Sequence, residues 1–150
     1  EMNDAQIFGF SNMVDQAELE AGELAQEKAS NGGVKEYARM MVAEHSAHMR
    51  EAGELAHEAG TNPSEPSNDQ LRRQHDQLMS SLRGASGAAF DSLYINGMVM
   101  EHQAALQRLD AAMNATESTE LREFLNTTRE AVAKHLERAQ QVQGQLASNR

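Results

Sequence analysis

Cysteine and tryptophan are absent from this 150-residue sequence, and proline occurs only at Pro63 and Pro66. Without cysteine, disulfide bonds and thiolate metal ligands are excluded. No segment has the ~18–20 consecutive apolar residues of a membrane-spanning helix, so we expect no stable membrane insertion. Lysine and arginine total 13 against 23 acidic residues, which gives a formal charge of -10. This acidic balance argues against nucleic acid as a partner and favours the attraction of cations.

The residues that are abundant are Ala, Glu, Gln, Leu and Met, all of them strong helix formers. Four long segments and one short segment space their apolar residues as helices do. The long helices are predicted at about 4–30, 34–59, 88–113 and 118–147, and the short helix at about 69–82. We therefore predict an all-α protein with one domain, residues 1–150. Its expected architecture is a four-helix bundle with an extra short helix between the second and third long helices.

Turn signals separate the predicted helices. Asn31-Gly32-Gly33 is predicted to end the first helix, and Gly60 the second. Residues 61–68 combine Pro, Ser and Asn and are predicted to form a loop. Ser118 or Thr119 is expected to cap the last helix at its N-terminus. Because the connections within the two helix pairs are short, each pair is expected to be antiparallel.

One nine-residue pattern, Y-x-x-x-M-V-x-E-H, occurs twice. It runs from Tyr37 to His45 and again from Tyr94 to His102, and it uses both tyrosines of the chain. Residues four apart share a face of a helix, so each copy places Tyr, Met and His on one side. The pattern predicts that the second and third long helices present the same residues to one interior, with Met and Tyr as packing.

Three histidines, His45, His102 and His135, fall on the apolar stripes of three different long helices. A buried polar group without a partner costs roughly 1–3 kcal/mol. Imidazole is the commonest metal ligand, and bundles build metal sites from side chains on facing helices. The pattern therefore predicts a divalent metal ion, zinc, iron or copper, held by these histidines. The alternative is a polar layer that only fixes the register of the helices.

The first helix is expected to supply a carboxylate ligand. Glu18 and Glu20 both reach the level of His45, and helical phase does not choose between them. In the second pair of helices, it stays open whether His102 and His135 share one metal ion. His135 is predicted to lie about 7 Å beyond His102 along the bundle, at ~1.5 Å rise per residue. Glu130 would then be level with His102.

Other candidates carry weaker signals. Glu44 and Glu101 precede two of the histidines and are expected at the rim or in solvent. Met41 and Met98 are expected to pack in the core, although thioether ligation would favour copper. No catalytic or organic-cofactor residue is predicted, and whether the protein is an enzyme stays open, with a non-enzymatic role favoured.

The runs V-K-E-Y-A-R-M-M-V-A-E-H, G-A-A-F-D-S-L-Y and the later His102 and His135 resemble a bacterial family catalogued as domain of unknown function 4142. The resemblance covers about residues 5–140. It implies a ferritin-like bundle that is exported to the periplasm or cell surface, and it implies no established reaction. The sequence begins at Glu1, which a cleaved secretion signal would explain.

These observations predict an exported metal-binding bundle whose physiological role and oligomeric state the sequence leaves open. The competing hypothesis is a non-catalytic envelope or stress-related protein in which the core histidines form a register-fixing layer.

Overall fold

Five α-helices account for most of residues 1–149, the part of the chain that this computed structural model describes. They are α1 (Asp4–Lys28), α2 (Gly32–Glu58), α3 (Gln70–Arg83), α4 (Gly87–Ala115) and α5 (Thr119–Ser148). No strand occurs in residues 1–149. The predicted all-α class, with a short helix between the second and third long ones, is confirmed. None of the helices in residues 1–149 combines the length and apolarity needed to cross a membrane.

The prediction for the first turn was wrong, because Gly32 and Gly33 begin α2 instead of ending α1. Ala29, directly after α1, is already extended, with φ −64° and ψ 141°. The Asn31 side chain then accepts a hydrogen bond from the backbone N–H of Gly33 at 2.8 Å. Asn is among the most favourable N-cap residues. Asn31 therefore starts α2, although the two glycines that follow it disfavour a helix.

The cap of α5 resolves the choice between Ser118 and Thr119. The Ser118 hydroxyl accepts a hydrogen bond from the backbone N–H of Leu121 at 3.1 Å. Thr119 is the first helical residue. The serine therefore satisfies one of the N–H groups that a helix leaves unpaired at its start.

The four long helices face one interior. α1 and α2 form one antiparallel hairpin, and α4 and α5 form another, because only a few residues join the members of each pair. The hairpins pack with α1 against α4 and α2 against α5, and α3 packs against α4 and α1. Side chains from α1, α2, α4 and α5 can therefore meet at the same height.

Two apolar clusters fill most of the interior, and polar residues separate them. The first cluster includes Tyr37, Met41, Tyr94, Met98 and Ala139. The second includes Ile7, Ala56, Ala105, Leu125 and Val132. Along α2, α4 and α5, one buried histidine stands in sequence between residues of the two clusters: His45, His102 and His135.

A buried carboxylate ties the turn between α1 and α2 to α4. Asp91 is 2% exposed. It accepts hydrogen bonds from the backbone N–H groups of Ser30 and Asn31, both at 3.0 Å, and from the Ser30 hydroxyl at 2.9 Å. Since three bonds hold this turn to α4, they fix the level of α2 relative to α4. The level of His45 relative to His102 is fixed with it.

Gly9 marks the place where the loop between α2 and α3 crosses α1. A β-carbon on Gly9 would lie 2.0 Å from the carbonyl oxygen of Ser64, whereas one on Gly53 would meet nothing within 4 Å. We expect Gly9→Ala to lower the free energy of unfolding by about 1–3 kcal/mol, because the backbone at Ser64 or in α1 must shift to make room for the methyl group. The control Gly53→Ala should raise it by about 0.5–1 kcal/mol. Urea denaturation measures both, and a neutral Gly9→Ala would contradict the close crossing.

Candidate metal centre

Three buried histidines meet in the polar layer between the two apolar clusters. His45, His102 and His135 are 4%, 2% and 4% exposed. Each offers one ring nitrogen, and these nitrogens lie within 4.8 Å of one another. The ring centroids are 6.1, 5.3 and 5.5 Å apart for the 45–102, 45–135 and 102–135 pairs. We call this group the histidine triad. In the described residues it is the one group of three or more histidine or carboxylate side chains close enough to hold one metal ion.

A buried carboxylate on α1 orients His45. Asp15 is 1% exposed, and its two oxygens accept hydrogen bonds from Nδ1 of His45 and Nδ1 of His48, both at 2.8 Å. Because a carboxylate only accepts, the proton of neutral His45 lies on Nδ1 and its lone pair on Nε2. The His48 ring also contacts the Thr128 hydroxyl at 2.6 Å and stacks on Phe124. Asp15 therefore sets the tautomer and the orientation of His45.

Acceptors fix the other two histidines in the same way. Nδ1 of His102 donates to the carbonyl oxygen of Met98 at 2.7 Å, and Nε2 of His135 donates to the Glu44 carboxylate at 2.9 Å. The lone pairs are then on Nε2 of His102 and Nδ1 of His135. Within residues 1–149 these two nitrogens, and Nε2 of His45, have no hydrogen-bond partner. Each ring of the triad therefore offers one buried, unused lone pair.

Burial opposes protonation of the His102 and His135 rings. Burial, and then the neighbouring rings of His45 and His135, lowers the pKa of His102 to about 3. Burial also lowers the pKa of His135, and the hydrogen bond to Glu44 offsets this only in part. His102 therefore stays neutral at pH 7 and keeps its lone pair. A metal ion, unlike a proton, can be bound by several imidazoles at once.

His102 and His135 belong to one group, although the predicted axial offset had left this open. Their rings are 5.5 Å apart, and Glu130 is exposed. The helices bounding the turn end at Ala115 and begin at Thr119, so the turn is centred near residue 117. Counting from there, the offset falls to about 4.5 Å, which imidazole side chains can span.

The glutamates predicted as ligands lie in a second polar cluster, formed by α1, α3 and α4. Glu18 is 2% exposed, and its Oε2 has no hydrogen-bond partner within residues 1–149. Glu20 is half-exposed and contacts Nε2 of His75 at 3.2 Å, while Nδ1 of His75 contacts Glu101 at 3.0 Å. Burial, and then the charge of Glu101, raises the pKa of Glu18.

Neither Glu18 nor Glu20 belongs to the triad. Their role as metal ligands stays a prediction, as does ligation by the three histidines. Helical phase alone did not choose between the two glutamates, whereas the structure buries Glu18 and exposes Glu20.

Sequence reasoning missed three of the buried polar residues. Asp15, His75 and Glu101 are 1%, 3% and 6% exposed, although no role was predicted for Asp15 or His75 and Glu101 was expected at the rim or in solvent. A signal existed for Asp15, which stands three residues before Glu18 on the same face of α1. No comparable signal existed for Glu101, because its burial depends on how α3 packs against α4.

The Tyr and Met residues of the repeated pattern pack in the first apolar cluster. The rings of Tyr37 and Tyr94 meet edge to face, with centroids 6.1 Å apart. Met41 and Met98 are fully buried in the same cluster. The Tyr37 hydroxyl donates to the backbone carbonyl of His135 at 3.2 Å, which links the cluster to the triad. The interpretation of Tyr and Met as packing agrees with this arrangement.

Comparisons with known proteins relate the whole chain to a family and to one fold. Residues 1–142 match the family model described as "Domain of unknown function (DUF4142)". No protein with a curated description matches the sequence. A solved structure, "CopM in the Cu(II)-bound form", is 16% identical with a TM-score of 0.77, over 97% of this chain and 98% of that one. "CopM in the Ag-bound form (by co-crystallization)" is 18% identical with a TM-score of 0.74, over 94% and 95%. At these identities the likeness establishes a shared fold.

Proposed function

Because the chain belongs to the DUF4142 family, whose description assigns no reaction, we propose its function from the triad: it binds one transition-metal ion through His45, His102 and His135. The observation that carries the proposal is the set of three buried imidazole lone pairs without a donor. A structural polar layer would be expected to pair its buried nitrogens, since each unpaired one costs about 1–3 kcal/mol. A cation satisfies all three at once.

Copper is the ion we propose to test first, ahead of zinc and iron. Neutral imidazoles suit all three metals, so the donor set alone does not select one. The Cu(II)-bound and Ag-bound forms of CopM share this fold, which favours copper and silver here. The formal charge of -10 adds a general attraction for cations. Export to the periplasm or cell surface, membership of a ferritin-like family and a non-enzymatic role stay predictions.

Metal titration of protein purified without a histidine tag tests this function. We expect one Cu²⁺ or Ag⁺ per chain by elemental analysis. Metal at 100 times its Kd should add about 3 kcal/mol to the free energy of unfolding, which raises the Tm by about 5–10 °C for a chain of this length. Mg²⁺ is the control, because it prefers oxygen ligands.

Absence of bound copper, silver, zinc and iron, together with an unchanged Tm, would contradict the proposal. The triad would then be the register-fixing layer of the competing hypothesis.

A further inference from the structure

A mostly apolar cavity of about 330 Å³ lies beside the triad, among α1, α2, α4 and α5. His45 and His135 form part of its wall. Such a volume reaches the range of small-molecule sites, which begins at about 300 Å³. A metal ion bound by the triad would not fill this cavity. The apolar part of the wall includes Ile7, Phe10, Val14, Leu109, Phe124 and Leu125.

The charged groups that line the cavity are acidic. Glu44 and Glu51 of α2 and Asp15 of α1 contribute carboxylates. Both oxygens of Asp15, and one oxygen of Glu44, already accept hydrogen bonds from histidines. In the described residues no lysine or arginine lines the cavity. An apolar wall with an acidic edge complements a ligand that is apolar at one end and positively charged at the other.

We propose that this cavity binds a small hydrophobic organic cation, with its apolar part against Phe10 and Phe124 and its ammonium group at the edge formed by Glu44 and Glu51. The ring of His48 stacks on Phe124, at 4.9 Å between centroids, and the two rings form a flat aromatic part of this wall. Ala131, which has a small side chain, also lines the cavity. The site goes beyond the proposed metal function, because the groups proposed to contact the ligand lie outside the triad, although His45 and His135 belong to the same wall.

Calorimetry on the metal-free full chain, with phenethylammonium chloride as the probe, tests the proposal. Phenylacetate keeps the ring but carries a negative charge, and ethylammonium keeps the positive charge but lacks the ring. We expect phenethylammonium to bind at least about tenfold more tightly than either comparator, because ring burial and charge complementarity are both required.

Variants of the wall separate this cavity from nonspecific binding. Ala131→Phe should fill the cavity and weaken phenethylammonium binding by at least about tenfold. The control Ala133→Phe changes a half-buried alanine of the same helix that does not line the cavity, and it should leave binding unchanged. Glu51→Gln should weaken binding by about two- to fivefold, the size expected for an exposed ion pair.

Three results would overturn the proposal: no binding of phenethylammonium, equal binding of phenylacetate, or equal binding by the Ala131→Phe and Ala133→Phe variants. All measurements are made without metal. Failure of the organic cation to bind therefore leaves the copper proposal intact, and failure of copper to bind leaves this result intact.

Discussion

His102→Leu is expected to weaken copper binding strongly and to stabilise the metal-free protein. The substitution removes one of three ligands, so the affinity for Cu²⁺ should fall at least about 100-fold. It also replaces a buried imidazole that has an unpaired nitrogen with an apolar side chain of similar volume. The free energy of unfolding of the metal-free protein should therefore rise by about 1–3 kcal/mol. Copper titration and urea denaturation measure the two effects.

The opposite signs of these effects are what distinguish a metal site from a register layer. If the histidines only fixed the register of the helices, leucine at position 102 would also be tolerated. The affinity for copper would then be the same in His102→Leu and in the wild type. His57→Leu is the matched control, because His57 is exposed on α2 and should change neither quantity. If His102→Leu and His57→Leu bound copper equally well, the triad would not be the copper site.

Most of the fold follows from local signals in the sequence. Apolar spacing located all five helices to within a few residues, because each helix buries one continuous stripe. The exception is Asn31-Gly32-Gly33. The glycines suggested a stop, but the Asn31 side chain and the carboxylate of Asp91 organise a new helix start there. The contact with Asp91 joins residues 60 apart, so local sequence could not reveal it.

The histidines of the triad were predictable for a similar reason. Each occupies a stripe position on its own helix, and polar residues at such positions are rare enough to be informative. The axial offset between His102 and His135 was predictable only to about 3 Å, because a shift of one residue in the centre of the turn changes the facing position by two residues at ~1.5 Å each. The structure places their rings 5.5 Å apart.

The residues around the triad were harder to predict, because their roles depend on pairs of helices. Asp15 of α1 orients His45 of α2, and Glu44 of α2 orients His135 of α5. Both hydrogen bonds cross a helix interface. The environments of Glu18 and Glu101 depend on each other and on the contact between Glu101 and His75 of α3. A carboxylate at such a position has the same sequence signature whether it faces solvent or a buried partner.

Asp15→Ala has the second large expected effect, because Asp15 is the sole hydrogen-bond partner found for Nδ1 of both His45 and His48 within residues 1–149. Removing it leaves two imidazole N–H groups unpaired and opens a small void. We expect the free energy of unfolding of the metal-free protein to fall by about 3–5 kcal/mol. Copper affinity should fall by about 10–100-fold, since His45 loses the group that fixes its tautomer.

Two further variants make this prediction specific. Asp15→Asn keeps the shape but offers one acceptor to two imidazoles, so it should be more stable than Asp15→Ala and still bind copper more weakly than the wild type. Glu23→Ala, at an exposed position of the same helix, should change stability by less than about 0.5 kcal/mol and leave copper affinity unchanged. Denaturation and copper titration of all three variants provide the comparison. If Asp15→Asn bound copper as tightly as Glu23→Ala, then Asp15 would support the fold of α1 and α2 without positioning His45 for a metal.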